Sequence, residues 1–261
     1  MTRFATAADG VRLAYEIVGA GADIVLVHGF GSSRAQNWRD TSWYKTLTDA
    51  GFRVIAMDCR GHGESDKPHT TPGYGHDEMA NDVLAVMDDA GIGTADIMGY
   101  SMGGFIAIHL LMGHPERIRK LVIGGVGASY LESAETSRDR VADPKIRALI
   151  ADAMLADDPS TITNPTARGF RAFADQPGKD RLALAACMRA VPKNLPREVL
   201  AGSTRPVLVV CGEKDEMTGS PVPLAEAFAD GRAVVVPRRD HMTATGDKIY
   251  KSAVLDFFAG S

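Results

Sequence analysis

The chain of 261 residues lacks most of the features that would assign it to a special environment. It has no strong charge excess. With 29 Lys and Arg against 33 Asp and Glu the net charge is -4, which argues against nucleic acid or an anionic membrane surface as partner. No apolar run approaches the ~18 residues that a membrane span needs, so no membrane partner is expected. The stretch Met1 to Gly10 has no apolar core of the kind a secretory signal carries. Cysteine is scarce: the three residues Cys59, Cys187 and Cys211 are odd in number and lack metal-ligand spacing. They read as buried small apolar side chains in a reducing compartment, and a cytoplasmic location is expected. No His, Cys and carboxylate cluster has ligand spacing, and Gly124-Gly125-Val126-Gly127 matches no dinucleotide or phosphate fingerprint. Neither a metal nor a cofactor is therefore expected. Internal repeats, heptads and low-complexity segments are also missing.

What is present is an ordinary globular composition, 45% hydrophobic and 24% charged, in a chain long enough to bury a large core. Phe4 to Val18 alternates polar and apolar residues around Asp9-Gly10, which predicts an N-terminal hairpin. Continuous apolar runs at Ile24–Val27, Val54–Met57, Leu121–Ile123, Val207–Val210 and Ala233–Val236 predict strands buried on both faces. Helical patterns fall between them, at Trp43–Ala50, Asp77–Ala90, near Pro223–Ala229 and at Lys248–Phe258. Strands alternating with helices imply parallel βαβ units, hence an α/β, doubly wound, mostly parallel sheet. From Gly127 to Thr204 the rhythm stops, and only helical patterns remain, at Pro144–Leu155, Pro165–Phe173 and Asp180–Ala190. A plain loop of that length is implausible. The division expected is a core of residues 1–126 and 205–261, with 127–204 inserted as a helical cap over the sheet edge.

Gly99-Tyr100-Ser101-Met102-Gly103 places one serine between two glycines, after the short apolar run Ala95–Met98 and before a breaker-free helical run. This is the context of a G-x-S-x-G nucleophile elbow, in which the serine is forced into strained backbone angles and its flanking glycines must lack a Cβ. A serine hydroxyl needs a base, and the base needs a group to orient it. In this architecture active groups gather at the carboxyl ends of strands. Asp215 follows Val207–Val210 and His241 follows Val234–Val236, giving the chain order Ser, acid, His.

On these residues the chain resembles the α/β-hydrolase fold family over nearly its whole length, with 127–204 as the variable cap. Among the seven histidines, His241 alone has the order and strand exit required of the base. His109 reads as a core residue of the elbow helix, His114 as a helix exit, and His69 and His76 as polar-loop residues. His28 and His62 resemble structural positions of the family. For the acid, Glu213 and Asp240 compete with Asp215; the resemblance favours Asp215, the Asp of Gly212-Glu213-Lys214-Asp215. An oxyanion hole needs two backbone N–H groups. Met102, after the nucleophile, would supply one; by resemblance Phe30 in His28-Gly29-Phe30-Gly31 would supply the other. Asp58 to Ser65 is also similar to a family hallmark and is expected to serve architecture rather than chemistry.

The resemblance implies a serine hydrolase that cleaves a small carboxylic ester, thioester or lactone through an acyl-enzyme, with a small molecule as partner. Haloalkane dehalogenases and epoxide hydrolases carry Asp where Ser101 stands. The C–C bond hydrolases usually show Asn before the serine and an aromatic after the histidine, where this chain has Tyr100 and Met242. A C–C hydrolase or a lyase-type synthase of the same fold stays as an alternative, and a small-molecule sensor retaining the triad is another. Between Leu131 and Arg205 twelve Lys and Arg face ten Asp and Glu, too balanced to indicate an anionic substrate. Arg168 and Arg171 read as solvated, and Phe170 and Phe173 as packing between cap and core. Whether the chain forms a homo-oligomer stays open.

Overall fold

A computed structural model describes residues 1–131, 143–190 and 193–260. A hairpin, β1 (Arg3–Thr6) and β2 (Arg12–Gly19), leads into the parallel strands β3 (Ala22–Val27), β4 (Phe52–Met57), β5 (Ala95–Tyr100), β6 (Ile118–Gly124), β7 (Val207–Gly212) and β8 (Gly231–Val236). The helices are α1 (Trp43–Asp49), α2 (His76–Asp89), α3 (Met102–Gly113), α4 (Pro144–Leu155), α5 (Pro165–Ala174), α6 (Arg181–Arg189), α7 (Arg197–Leu200), α8 (Val222–Ala225) and α9 (Lys248–Ala259). The sheet runs β1-β2-β4-β3-β5-β6-β7-β8, with β2 antiparallel to both of its neighbours. The chain leaves β3 toward β4 on one side and returns to β5 on the other. The crevice between β3 and β5 is thus a topological switch point, where Val27 lies beside Gly99.

Alternation along the strands explains why they read as continuous apolar runs. Val25 and Val27 face a core formed with α2 and α3, including Val83, Ile106 and Leu110. Ile24 and Leu26 face the opposite core, where Trp43, Tyr250 and Phe257 of α1 and α9 pack. Both faces are covered, so the inner stretches of the central strands are apolar, and the one buried carboxylate of β5, Asp96, pairs with Arg119 at 3.0 Å. A third cluster, separate from these two, holds Ile150, Met154, Ala167, Leu184 and Met188 of α4 to α6. Each of these helices begins at a capping side chain. Asp143 accepts from Lys145 N–H at 2.8 Å, Asn164 from Ala167 N–H at 3.0 Å and Asp180 from Ala183 N–H at 3.0 Å. Such caps are worth about 1 kcal/mol each.

The helical patterns of the 127–204 segment therefore lie where the sequence places them, although residues 132–142 and 191–192 fall outside the described residues. One helix is shorter than its pattern. α8 stops at Ala225 because the chain must turn back into β8; a Cβ on Gly231 would stand 1.9 Å from the Ala225 carbonyl oxygen. Arg171 is buried, where the sequence suggested solvent. It donates to the Ala153 and Ala156 carbonyls at 3.0 and 2.6 Å, satisfying the end of α4.

The Asp58–Ser65 loop is held by its own polar groups. Asp58 accepts from Glu64 N–H at 2.9 Å and from Arg34 N–H at 2.7 Å, and its carboxylate pairs with the Arg34 guanidinium. Arg60 bridges Asp82 and Asp9 at 2.6 and 2.7 Å. His28 donates Nδ1–H to the Gly29 carbonyl at 2.7 Å and accepts the Cys59 N–H on Nε2 at 3.0 Å, an arrangement open only to neutral imidazole. Burial pushes the pKa of His28 down to about 4, and that of His62 to about 3 with further help from His28.

In the unfolded chain both rings titrate near 6.5. Between the unfolded and folded values the unfolded state binds more protons, so stability falls as pH drops from about 6.5 toward 4. Each ring adds a slope of up to about 1.4 kcal/mol per pH unit. Urea unfolding should give a lower midpoint at pH 5 than at pH 7; equal midpoints would contradict the neutral buried assignment.

Candidate active site

Ser101 ends β5 at φ 52° and ψ -117°, a backbone state that costs about 1–3 kcal/mol for a residue with a side chain. The approach of three backbone segments forces it. A Cβ on Gly99 would lie 2.1 Å from the Gly103 carbonyl oxygen, and one on Gly103 would lie 2.1 Å from that of Val27. Only glycine at both positions allows α3 to start this close to the ends of β3 and β5. The Ser101 N–H donates to the Gly124 carbonyl at 2.7 Å, which fixes the turn against β6.

His241, on the loop after β8, brings its Nε2 to 3.0 Å from Ser101 Oγ, and its Nδ1 lies 2.8 Å from Asp215 Oδ2 on the loop after β7. The three side chains named from the sequence thus form one hydrogen-bonded chain. Asp215 is 4% exposed. Burial works to raise its pKa, but bonds from His241 and Thr218 outweigh that and hold the carboxyl below its usual range. Its second oxygen accepts the N–H groups of Met217 and Thr218, both at 3.1 Å. The rival acids are occupied elsewhere. Glu213 accepts from Arg238 N–H at 2.6 Å, and Asp240 from Thr243 N–H at 2.9 Å. From below, the Tyr100 ring lies 5.5 Å from the imidazole and its hydroxyl donates to the His241 carbonyl.

Phe30 and Met102 stand at the ends of adjacent strands, on either side of the switch point. Gly29 N–H donates to Asn37 Oδ1 at 3.0 Å, and the Phe30 ring packs edge-on to His62 at 5.7 Å. Among the described residues neither the Phe30 nor the Met102 amide has an acceptor. Both residues line the same cavity as Ser101.

Above Ser101 lies a cavity of about 820 Å³, walled by Met102 and Phe105 below and by Pro144, Phe170, Phe173 and Cys187 above. The polar His76, Arg147 and Asn194 also line it. The sequence reading missed all three. His76 was placed in a loop and opens α2 instead; a helical pattern does not reveal which residue of α4 turns toward a cavity. Arg168, read from the sequence as solvated, donates to the Ile162 carbonyl at 2.8 Å. His109 is a satisfied buried residue, held between Asp77 and the Lys193 carbonyl, both at 2.7 Å. No helix among the described residues is long and apolar enough to cross a membrane.

Residues 24–168 match the α/β-hydrolase fold family, and the chain belongs to that family. Its structure is similar to a hydrolase from Pseudomonas aeruginosa PA01, with TM-score 0.77 and 27% identity over 99% of this chain and 98% of that one. It is also similar to the enol-lactonase of Burkholderia xenovorans LB400, with TM-score 0.74 and 26% identity over 99% of this chain and all of the other (100%). Among curated proteins it is 31% identical over 239 residues to the dihydrolipoyllysine-residue acetyltransferase component of the acetoin cleaving system of Cupriavidus necator, covering 87% of this chain. The chain spans 61% of that relative's length, and 53% and 41% of the next two.

The elbow's geometry has a direct test. Gly103→Ala should destabilise the protein by about 1–3 kcal/mol or more, since the new methyl meets backbone rather than a movable side chain. Gly113→Ala, in the last turn of α3 with nothing within 4 Å of its Cβ position, should be neutral or stabilising by up to about 1 kcal/mol. Comparison of the two urea midpoints checks the claim; similar midpoints would refute it.

Proposed function

We propose that this protein is a serine hydrolase that cleaves a small carboxylic ester through an acyl-enzyme. The observation that carries the reading is the relay of 3.0 and 2.8 Å from Ser101 through His241 to Asp215, opening into the cavity above. Ser101 Oγ attacks the ester carbonyl carbon while His241 Nε2 takes the hydroxyl proton. Asp215 holds the ring with Nδ1–H toward its carboxylate and stabilises the imidazolium. The tetrahedral oxygen accepts from the Phe30 and Met102 amides, with each donor worth roughly 10²–10³ in rate. As the C–O bond breaks, the imidazolium returns the proton to the leaving alkoxide. A water, deprotonated by the same nitrogen, then displaces Ser101 and releases the acid.

Thioesters and lactones undergo the same steps with a different leaving group. A serine in place of the aspartate of epoxide hydrolases supports an acyl rather than an alkyl intermediate. Tyr100 before the serine and exposed Met242 after the histidine depart from the C–C hydrolase pattern and support the ester reading.

Steady turnover of p-nitrophenyl acetate is expected, and Ser101→Ala should lower kcat by about 10⁶. Retention of a tenth of the rate would remove Ser101 as nucleophile. A single stoichiometric burst with no further turnover would replace the enzyme by a sensor.

A further inference from the structure

Among the described residues, Arg147 is the only Lys, Arg, Asp or Glu lining the cavity above Ser101. A formal charge in an otherwise largely apolar chamber is costly unless a partner neutralises it. Among the described residues its partners are incomplete. Arg147 Nη2 donates to the Ala190 and Cys187 carbonyls, at 2.9 and 3.4 Å, where α6 ends. Its Nε is buried with no acceptor, and Nη1 has none among the described residues. The carboxylates nearest in the chain are otherwise engaged. Asp143 caps α4, and Asp152 pairs with Arg189 at 2.6 Å. Burial pushes the Arg147 pKa down, yet a guanidinium keeps its proton at neutral pH.

Two further unpartnered polar atoms line the same cavity. His76 Nδ1 and Asn194 Oδ1 are both buried without a hydrogen bond. Their surroundings connect them. The His76 ring lies 5.5 Å from Phe105, which lies 5.4 Å from Tyr130, and Asn194 Nδ2 donates to the Tyr130 carbonyl at 2.7 Å. Burial, reinforced by His109 and Arg147, holds His76 near a pKa of about 3, so it is neutral and carries one ring N–H to donate. The cluster touches the nucleophile's own helix. Cys187, whose carbonyl Arg147 reaches, lies with its Sγ 3.8 Å from Met102 Sδ, one residue beyond Ser101.

We infer that Arg147 and His76 form an anion subsite in the cavity, and that the substrate is an ester whose acyl part carries a second, free carboxylate. The carboxylate accepts from Arg147 Nη1 and from a ring N–H of His76, while the scissile carbonyl reaches Ser101. The inference refines the ester-hydrolase reading by naming the substrate class, and its first test requires no turnover.

In a Ser101→Ala background, monomethyl adipate should raise the melting temperature at concentrations where methyl hexanoate, the same ester without the free carboxylate, does so far less. Charge-assisted hydrogen bonds of this kind correspond to a roughly 10–100-fold difference in affinity. Arg147→Met should abolish the discrimination and Arg147→Lys should retain part of it. Equal shifts from monomethyl adipate and methyl hexanoate, or a monomethyl adipate shift unchanged by Arg147→Met, would overturn the subsite. Should Arg147→Met fail to fold, the comparison of the two esters on Ser101→Ala, with and without Arg147→Lys, decides alone. In the enzyme with Ser101 restored, kcat/KM for monomethyl adipate over methyl hexanoate should exceed unity and collapse in the Arg147 variants. Discrimination in binding without hydrolysis of either ester would keep the subsite and discard the ester chemistry.

Discussion

The close packing of α3 against the ends of β3 and β5 is the constraint on which the site depends. A helix can begin there only if the residues before and after its first turn have no Cβ, which is the role of Gly99 and Gly103. The same crowding drives Ser101 into positive φ and turns its hydroxyl away from the sheet. Once that hydroxyl is fixed, the remaining parts need only hang from neighbouring strand ends. Phe30 follows β3, Asp215 follows β7 and His241 follows β8, each set by strand order rather than by proximity in the chain. The strain at one residue is sustained by two buried cores on opposite faces of the sheet.

Much of this is legible before any coordinates, for definite reasons. Parallel strands covered on both faces must be continuously apolar, so Ile24–Val27 and Val207–Val210 identify themselves. Glycines enforced by backbone collision leave a pattern that survives as text, and the order Ser101, Asp215, His241 follows from topology. The capping residues Asp143, Asn164 and Asp180 explain why the helical periodicity of the 127–204 segment carried over into α4, α5 and α6.

What the text does not carry is the inward face of α4 to α6. Arg147, Arg168 and Arg171 occupy neighbouring helices and look alike in sequence, yet each meets a different fate. Arg171 closes the end of α4, Arg168 folds back on Ile162, and Arg147 turns into the cavity. Those outcomes depend on how three helices roll against one another, which periodicity alone does not fix. His76 reads in sequence as a polar-loop residue, yet it is the first residue of α2 and its ring packs against Phe105.

The third apolar cluster has its own consequence. Ile150, Met154, Leu184 and Met188 form a cluster of their own over the cavity, tied to the sheet core through Phe30 and through Ala186 and Cys187 of α6. Sequence drift there can reshape what enters while leaving the proton relay undisturbed. A change confined to that stretch would thus recast the outline of the chamber while Ser101, Asp215 and His241 keep their places.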